Sequence, residues 1–367
     1  MSRAKVDKPF LVTSLILIVF GFLIFSSAAL GLLARGSANY SSVAFSQTVL
    51  GLFLGSLAFL FALRFDYKIW KRSAFYLLLV AVILNTLLFV PGLGVTHGGA
   101  LRWLALGPLS FQPAEFLKLA VIIYFAAWSA GVKNKIQDFK FGFLPLIILI
   151  GLSGVLLLLQ PDADNFVMIV IALVAIFVSA GGRWKHLLII ILAGLIGFAI
   201  LVSMKPYLKQ RVMTYVNPQA DSQGAGYQIQ QSLIAIGSGG LTGRGFGQSV
   251  QKFSFLPEPV GDSIFAVAAE EFGFFGAVFL VMLFVIFAAR GLKIASKVPD
   301  VFARLAVVGI VIMITIQAFV NIGAMLGVVP LSGITLPFVS HGGTSLFFTL
   351  LETGIVLSIS RTQKNKQ

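Results

Sequence analysis

One acidic residue, Asp262, stands where the chain passes from a polar stretch into a long apolar run. Pro257, Pro259 and Gly261 precede it, and the apolar run begins at residue 263. An Asp in this position can cap a helix, because its carboxylate accepts backbone N–H groups. It can also act as a general base held at the mouth of a helix. The two interpretations are compatible.

Basic residues surround Asp262 along the chain. The polar stretch before it contains Lys205, Lys209, Arg211, Arg244 and Lys252. Cations of this kind bind phosphate groups and stabilise a pyrophosphate as a leaving group. An acid beside them can take a proton from an attacking hydroxyl. One acid among several cations therefore predicts chemistry on a phosphate-bearing substrate.

The same stretch contains a run of glycines between residues 237 and 247. The run looks like a phosphate-binding loop. However, it lacks the Gly-Lys-Ser/Thr of a Walker loop and the preceding strand of a dinucleotide fingerprint. Two interpretations remain: a tight turn packed against helix ends, and a flexible backbone that lines a substrate groove.

The elements that position these residues are predicted to be membrane helices. Of the 367 residues, 58% are hydrophobic and only 11% are charged, too few to cover a water-soluble fold. Apolar runs as long as a bilayer core recur along the chain, and a helix satisfies its own backbone groups in lipid. We therefore predict an all-α polytopic membrane protein with a single transmembrane domain over residues 1–367. Ten helices are expected, at residues 10–33, 44–63, 73–90, 114–130, 141–159, 165–181, 187–204, 263–289, 302–329 and 346–360.

The basic residues also predict the orientation of these helices. With a cytoplasmic N-terminus, nineteen of the 27 basic residues fall in inner segments, and Lys118 falls within a span. The outer segments hold Arg35, Arg102, Lys205, Lys209, Arg211, Arg244 and Lys252. Under the positive-inside rule both termini are cytoplasmic, including a short tail at 361–367, and the large loop 205–262 between helices 7 and 8 is extracytoplasmic. The net charge of +14 is thereby explained by cytoplasmic loops, so it does not indicate nucleic-acid binding.

Other polar residues stand at or inside the predicted spans. Glu115 and Lys118 lie on one helix face, either as a structural ion pair or as functional groups. Of Glu270 and Glu271, we expect one to be buried and paired. The segment 330–345 is too rich in proline and glycine for a helix, which predicts irregular backbone lining a cavity. Its His341 is interpreted as a packing residue rather than a base. The lack of cysteine excludes disulfides and thiolate metal sites, and three His do not favour a histidine metal site.

Several motifs in the chain resemble the SEDS family, the FtsW/RodA/SpoVE proteins. They are Gln112-Pro-Ala-Glu, Gln160-Pro-Asp, Tyr227-Gln-Ile-Gln-Gln-Ser, Gly243-Arg-Gly, Leu256-Pro-Glu, Asp262, Phe265-Ala-Val-Ala-Ala-Glu-Glu-Phe-Gly and the segment 330–345. The resemblance covers nearly the whole chain. Gly247-Gln-Ser-Val-Gln-Lys-Phe and Asn321-Ile-Gly-Ala are more similar to the division member, FtsW, than to RodA. The chain departs from the family pattern at Val260-Gly261, at Ala163-Asp164-Asn165 and at His341.

The resemblance implies a ten-helix peptidoglycan glycosyltransferase that polymerises lipid II at the outer face of the bacterial cytoplasmic membrane. It implies that Asp262 is the essential acid, which would deprotonate a sugar hydroxyl. On this basis we assign substrate contacts to Arg102, Glu115, Lys118, Arg211, Lys252, Glu258 and Ser340. The implied partners are a class B penicillin-binding protein and other division proteins at the septum. No ligand cluster predicts a metal, although a divalent cation assisting catalysis stays an open alternative.

Three rival functions are left open by the residues. A lipid II flippase would need polar groups through the membrane depth and alternating access. An elongation polymerase like RodA would share the chemistry but not the septal location. A scaffold that recruits division proteins would not need Asp262.

Overall fold

The computed structural model describes residues 6–34, 40–97, 100–106, 109–217 and 224–363. Within these ranges nine helices are long and apolar enough to cross a membrane, and a shorter apolar helix, Ala163–Ser179, brings the bundle to the ten predicted. The helices in chain order are α1 (Lys8–Ala34), α2 (Tyr40–Arg64), α3 (Lys68–Leu87), α4 (Pro113–Val132), α5 (Phe139–Leu159), α6 (Ala163–Ser179), α7 (Trp184–Met204), α8 (Pro206–Val216), α9 (Ala225–Ser238), α10 (Gln251–Ser254), α11 (Ile264–Lys297), α12 (Val301–Met325) and α13 (Gly343–Ser360).

The predicted spans match the observed helices in order and number, and differ at their ends. α3 begins five residues before the predicted 73–90 because Lys68, Lys71 and Arg72 are helical. α11 likewise continues past residue 289 through Arg290, Lys293 and Lys297. Long basic side chains can keep their charge in water while their stems extend along a helix. The length of an apolar run therefore predicts only the apolar part of a helix, and the basic residues at the helix ends are missed.

The bundle is arranged around α12 and α13. α13 is buried along nearly its whole length, and most of α12 and α4 is also buried. α7 is the opposite case: within the described chain its one buried residue is Ile190. Since lipid tails are as apolar as leucine, an apolar helix can remain exposed in this way inside a bilayer.

Residues 94–111 contain a small sheet that the sequence analysis did not predict. Strands β1 (Gly94–His97), β2 (Ala100–Leu106) and β3 (Leu109–Phe111) pair antiparallel in the order β1-β2-β3. Three short strands with glycine and proline between them carry little periodic signal, so the stretch was expected to be a loop. The sheet leads directly into α4, which begins at Pro113, as predicted from its place in the first helical turn.

The polar stretch between α7 and α11 is about half helical. It contains α8, α9 and the short α10, and a glycine-rich turn follows α9. α11 is interrupted at Gly273, which has φ 66° and ψ −166°. The amides of Phe274 and Phe275 bond the carbonyls of Gly240 and Leu241, at 2.9 and 3.2 Å. The glycine-rich run is therefore a tight turn packed into a helix break, the first of its two interpretations.

The close approach of the two backbones at the break depends on glycine. A Cβ at Gly273 would lie 2.2 Å from the amide nitrogen of Gly243, and the positive φ also disfavours a side chain. We expect Gly273→Ala to destabilise the fold by about 2 kcal/mol or more, measured as a lower unfolding temperature in detergent. The matched control is Gly194→Ala on α7, where a Cβ meets no atom within 4 Å. Equal melting of the two variants would contradict this account of the break.

Candidate active site

The carboxyl group of Asp262 lies in the turn before α11. Its Oδ1 accepts a hydrogen bond from Nε2 of Gln228 on α9, at 3.0 Å. The same nitrogen donates to Oγ of Ser263, at 2.9 Å. α11 begins at Ile264, so the N-cap position belongs to Ser263. The capping interpretation of Asp262 is thereby corrected, because its carboxylate is held by a side chain of another helix.

The backbone on which Asp262 stands is held from other parts of the chain. The carbonyls of residues 260, 261 and 262 each accept one hydrogen bond. The donors are the amide of His341 at 2.7 Å, Oγ of Ser340 at 2.7 Å and Nδ2 of Asn321 at 2.8 Å, in that order. Asn321 on α12 also donates to the carbonyl of Ile334, at 2.8 Å. The turn and the segment 330–342 are thus tied together, and the direction of the Asp262 side chain is restricted.

The segment 330–342 is irregular, as predicted, although residues 343–345 of the predicted segment already belong to α13. Two further side chains hold the irregular segment. Gln47, in a π-helical part of α2, donates to the carbonyl of Ser340 at 3.2 Å and accepts from the amide of Gly342 at 3.0 Å. Gln317, one turn before Asn321 on α12, donates to the carbonyl of Thr335 at 3.0 Å. Ser340, predicted to contact substrate, instead donates to Gly261 and accepts from Leu336, so its hydroxyl supports the turn. This corrects its assignment.

Burial raises the pKa of Asp262 to about 7. The hydrogen bond from Gln228 lowers the pKa, the charge of Glu258 raises it, and the guanidinium of Arg211 lowers it. A base whose pKa lies near the working pH is well matched to proton transfer, because it is partly deprotonated and still basic. The environment of Asp262 therefore suits a general base at neutral pH.

Glu258 is exposed and lies beside Asp262. Its φ of 45° is unusual for a residue other than glycine, and its carbonyl accepts from the amides of Gly261 and Ser263 at 3.0 and 3.2 Å. A Cβ on Gly261 would stand 3.3 Å from Oε2 of Glu258. The Glu258 side chain is thus available at the surface next to Asp262, where the sequence analysis predicted a substrate contact.

Two arginines and two aspartates interact with one another and with Tyr207, and we call these four residues with Tyr207 the charge cluster. Of the cluster, Arg211 also acts on Asp262. Arg211 on α8 bonds both carboxylate oxygens of Asp164, at 3.0 and 2.8 Å. Arg102 on β2 donates to the carbonyl of Pro161 and lowers the pKa of Asp162, which burial raises. The pKa of Tyr207 is raised by its own burial and then by Asp164, and lowered by Arg211 and Arg102. Both predicted phosphate-binding arginines therefore belong to one cluster.

Lys252 does not lie where the sequence analysis expected it. Its side chain is fully buried, and Nζ bonds Oε1 of Glu271 at 2.6 Å, Oγ of Ser27 at 2.8 Å and the carbonyl of Gly247 at 2.9 Å. Glu270 is buried as well and accepts from Oγ of Ser249 at 2.5 Å. The assignment of Lys252 to a phosphate contact is corrected, since its ammonium is enclosed beneath the glycine-rich turn.

Glu115 and Lys118 form a buried ion pair inside the bundle. Nζ of Lys118 lies 2.9 Å from Oε1 of Glu115 and 3.0 Å from Oε1 of Gln317. Glu352 on α13 is buried within electrostatic reach of both. The structural interpretation of the pair therefore holds. Lys118 and Glu115 are reassigned from substrate contact to support of Gln317, which in turn holds the segment 330–342.

No role was predicted for several important residues, although Gln228 and Asn321 belong to the quoted motifs. Gln228 is a half-buried amide of α9, while Asn321, Gln317 and Gln47 are buried amides in otherwise apolar membrane helices. That was the available signal, because a buried amide in a membrane helix is costly unless it is bonded. Among the described residues, no group of three His, Asp or Glu side chains could hold a metal ion.

Comparison with known proteins shows the family to which this chain belongs. A family model described as a cell cycle protein, for FtsW, RodA and SpoVE, matches residues 8–365. The chain is 41% identical over 309 residues to the stage V sporulation protein E of Bacillus subtilis, covering 84% of each chain. It is 37% identical over 364 residues to the probable peptidoglycan glycosyltransferase FtsW of Coxiella burnetii, covering 98% of this chain and 97% of the relative. The chain belongs to the SEDS family, as its motifs indicated.

Two solved structures agree with the fold. One is a chain of a solved structure described as the structural coordination of polymerization and crosslinking by a peptidoglycan synthase complex. Its TM-score is 0.74 at 30% identity, over 93% of this chain and 96% of that one. The other is the rod shape determining protein RodA of Thermus thermophilus, with a TM-score of 0.67 at 27% identity, over 95% and 97% of the two chains. The polytopic helical fold predicted from the sequence is confirmed.

The buried position of Lys252 leads to a test. Lys252→Met leaves Glu271 buried without its cation, so we expect a loss of about 3–5 kcal/mol in unfolding free energy, seen as a lower unfolding temperature in detergent. Adding Glu271→Gln should recover part of this loss, and the exposed Lys209→Met should change stability by less than about 0.5 kcal/mol. If Lys252→Met melts like the wild type and instead weakens substrate binding, Lys252 belongs to the substrate site.

Proposed function

We propose that this protein is a peptidoglycan glycosyltransferase that polymerises lipid II. The observation that carries the proposal is Asp262: a carboxyl group with a pKa of about 7, on a restrained turn, beside a cluster containing Arg102 and Arg211. The names of the FtsW relatives and the structural likeness to a peptidoglycan synthase chain support it.

In the proposed reaction a hydroxyl of one lipid II attacks the anomeric carbon of the growing glycan. Asp262 takes the hydroxyl proton as the new glycosidic C–O bond forms. The bond from the anomeric carbon to the phosphate oxygen breaks, and undecaprenyl pyrophosphate leaves with the bonding electrons. Arg211 and Arg102 would stabilise the charge that develops on the pyrophosphate. One base and one stabilised leaving group suffice for a single inverting displacement.

We further propose that the Asp262 end of the bundle faces the outside of the cytoplasmic membrane, with both termini in the cytoplasm. The excess of basic residues in the opposite loops supports this orientation. A class B penicillin-binding protein would crosslink the product. Other division proteins would bring the enzyme to the septum, in keeping with the FtsW relatives.

The proposed reaction does not require a divalent cation. Among the described residues no group of three His, Asp or Glu side chains could hold a metal ion, so a cation that assists the reaction would bind with help from the phosphates of the substrate. Titration with a chelator during polymerisation tests the point.

A flippase is the second candidate, favoured by the ionisable residues inside the bundle. However, Glu115 is paired with Lys118, and Glu271 with Lys252, and all four are buried. Such closed pairs hold helices together, whereas alternating access would need groups that open to each side in turn. This contrast favours polymerisation.

Asp262→Asn tests the catalytic role directly. Asn can still accept the hydrogen bond from Gln228 but cannot act as a base, so polymerisation of purified lipid II with the partner present should fall by a factor of about 10² or more. The exposed Asp138→Asn is the control and should keep wild-type activity. If a folded Asp262→Asn protein polymerises lipid II at the wild-type rate, Asp262 is not the general base. Movement of lipid II across liposomes by a wild type that makes no polymer would favour the flippase.

The pH profile tests the environment of the base. Because the deprotonated form is active, the rate should rise as the pH rises through about 7. We call the part of the profile in which the rate rises with pH the acidic limb. Gln228→Leu removes a hydrogen bond that lowers the pKa of Asp262, so the acidic limb should move to higher pH. Glu258→Gln removes a charge that raises the pKa, so the limb should move to lower pH. Identical limbs in all three proteins would show that Asp262 does not control the rate.

A further inference from the structure

The ion pair between Arg211 and Asp164 has a specific geometry. Nη1 of Arg211 bonds both oxygens of Asp164, at 3.0 and 2.8 Å, so that one nitrogen makes the whole contact. The side chains are 26% and 16% exposed, respectively. The pair joins the first turn of α6 to the middle of α8, and it remains in contact with solvent, where an anionic substrate can reach it.

The other side of the guanidinium lies near the segment 330–342. Nη2 of Arg211 lies 3.8 Å from the place where a Cβ on Gly333 would stand. Gly333 belongs to the segment 330–342, which carries Ser340 and thereby holds the carbonyl of Gly261. The charge of Arg211 also acts on Asp262. Arg211 therefore reaches from α6 to the segment that supports the base.

Two neighbours restrict this arginine. Asp164 holds Nη1, and the ring of Tyr207, one turn earlier on α8, lies 5.9 Å from the guanidinium carbon. A free arginine side chain loses about 2 kcal/mol of rotamer entropy when it is immobilised. A carboxylate that fixes it before substrate binds removes part of that cost from the binding step.

We propose that Asp164 is a positioning residue, which holds Arg211 so that its remaining N–H groups face the space beside Asp262 and receive the pyrophosphate of the lipid-linked substrate. The proposal rests on the proposed function, and it concerns how that site is prepared. The alternative is a purely structural ion pair that only fastens α8 to α6, and we call this alternative a clip.

The two roles predict different kinetics. Asp164 neutralises Arg211, so it weakens attraction for a phosphate while fixing the direction of the N–H groups. Asp164→Asn should therefore lower kcat about tenfold through lost orientation, without raising KM for lipid II. Because Asp164 acts through Arg211, Asp164→Asn should have no further effect in an Arg211→Gln background. A clip predicts a lower unfolding temperature and an unchanged kcat in the protein that remains folded.

The acidic limb of the pH profile reports whether the charges of this pair act on Asp262. The charged groups that act on Asp262 are Glu258 from its own loop and Arg211 from α8, while Gln228, Asn321 and the backbone of His341 contact its turn as neutral groups. Removing the charge of Asp164 leaves Arg211 uncompensated, so the limb should move to lower pH. Removing Arg211 should move the limb to higher pH. Shifts in the same direction, or none, would overturn the proposal.

The chain offers a matched control pair. Nη2 of Arg290 bonds both oxygens of Asp7, at 3.2 Å each, and the side chains are 27% and 11% exposed. Asp7→Asn and Arg290→Gln should change neither kcat nor the acidic limb.

The exchange of charges in Asp164→Arg with Arg211→Asp keeps an ion pair but puts a carboxylate at the place of the guanidinium. Positioning predicts a folded, inactive protein, and a clip predicts retained activity.

An assay of undecaprenyl pyrophosphate binding distinguishes a failure of the positioning role of Asp164 from a failure of the proposed function. If the wild type makes no polymer with its partner, the proposed function fails. The binding series still decides the role of Asp164: Arg211→Gln should weaken binding, and Asp164→Asn should change affinity only while Arg211 is present. Equal changes in both backgrounds would overturn the positioning role.

Discussion

The position of Asp262 depends on hydrogen bonds to the backbone around it. Three successive carbonyls, those of residues 260–262, accept bonds from Asn321, Ser340 and the amide of His341. These donors come from α12 and from the segment 330–342, both far away in sequence. With the turn held, Asp262 stays half-buried at a place where desolvation disfavours its charge. Its pKa is therefore raised to about 7, into the range that proton transfer requires.

Charges inside the bundle support that turn indirectly. The pair of Glu115 and Lys118 engages Gln317, which bonds Thr335 in the segment 330–342. Lys252 and Glu271 perform a similar task beneath the glycine-rich turn, where two backbones meet at Gly273. Buried ion pairs contribute little net stability but are costly to break. The arrangement thus separates the buried charges that maintain the architecture from the partly exposed Arg211 and the exposed Glu258, which act on the base.

Much of the fold could be predicted from the sequence, because the length of an apolar run reports directly on a membrane helix. The start of a helix near Pro113 and the irregular segment 330–342 followed from local rules. The contacts of Lys252 with Ser27 and of Lys118 with Gln317 could not be predicted, since these partners lie about 200 residues or more away. A buried and an exposed lysine look alike in a polar sequence. The sheet at residues 94–111 was missed because its strands are too short to show a period.

The central claim is that a restrained turn keeps the carboxyl group of Asp262 protonated up to neutral pH. Infrared difference spectra of the wild type against Asp262→Asn, recorded across a pH series, would follow the carboxyl stretch of this one residue. The account predicts a band that is lost with a midpoint near pH 7. A midpoint near the ordinary aspartate value of 3.8 would contradict it, because the base would then be an ordinary solvated carboxylate.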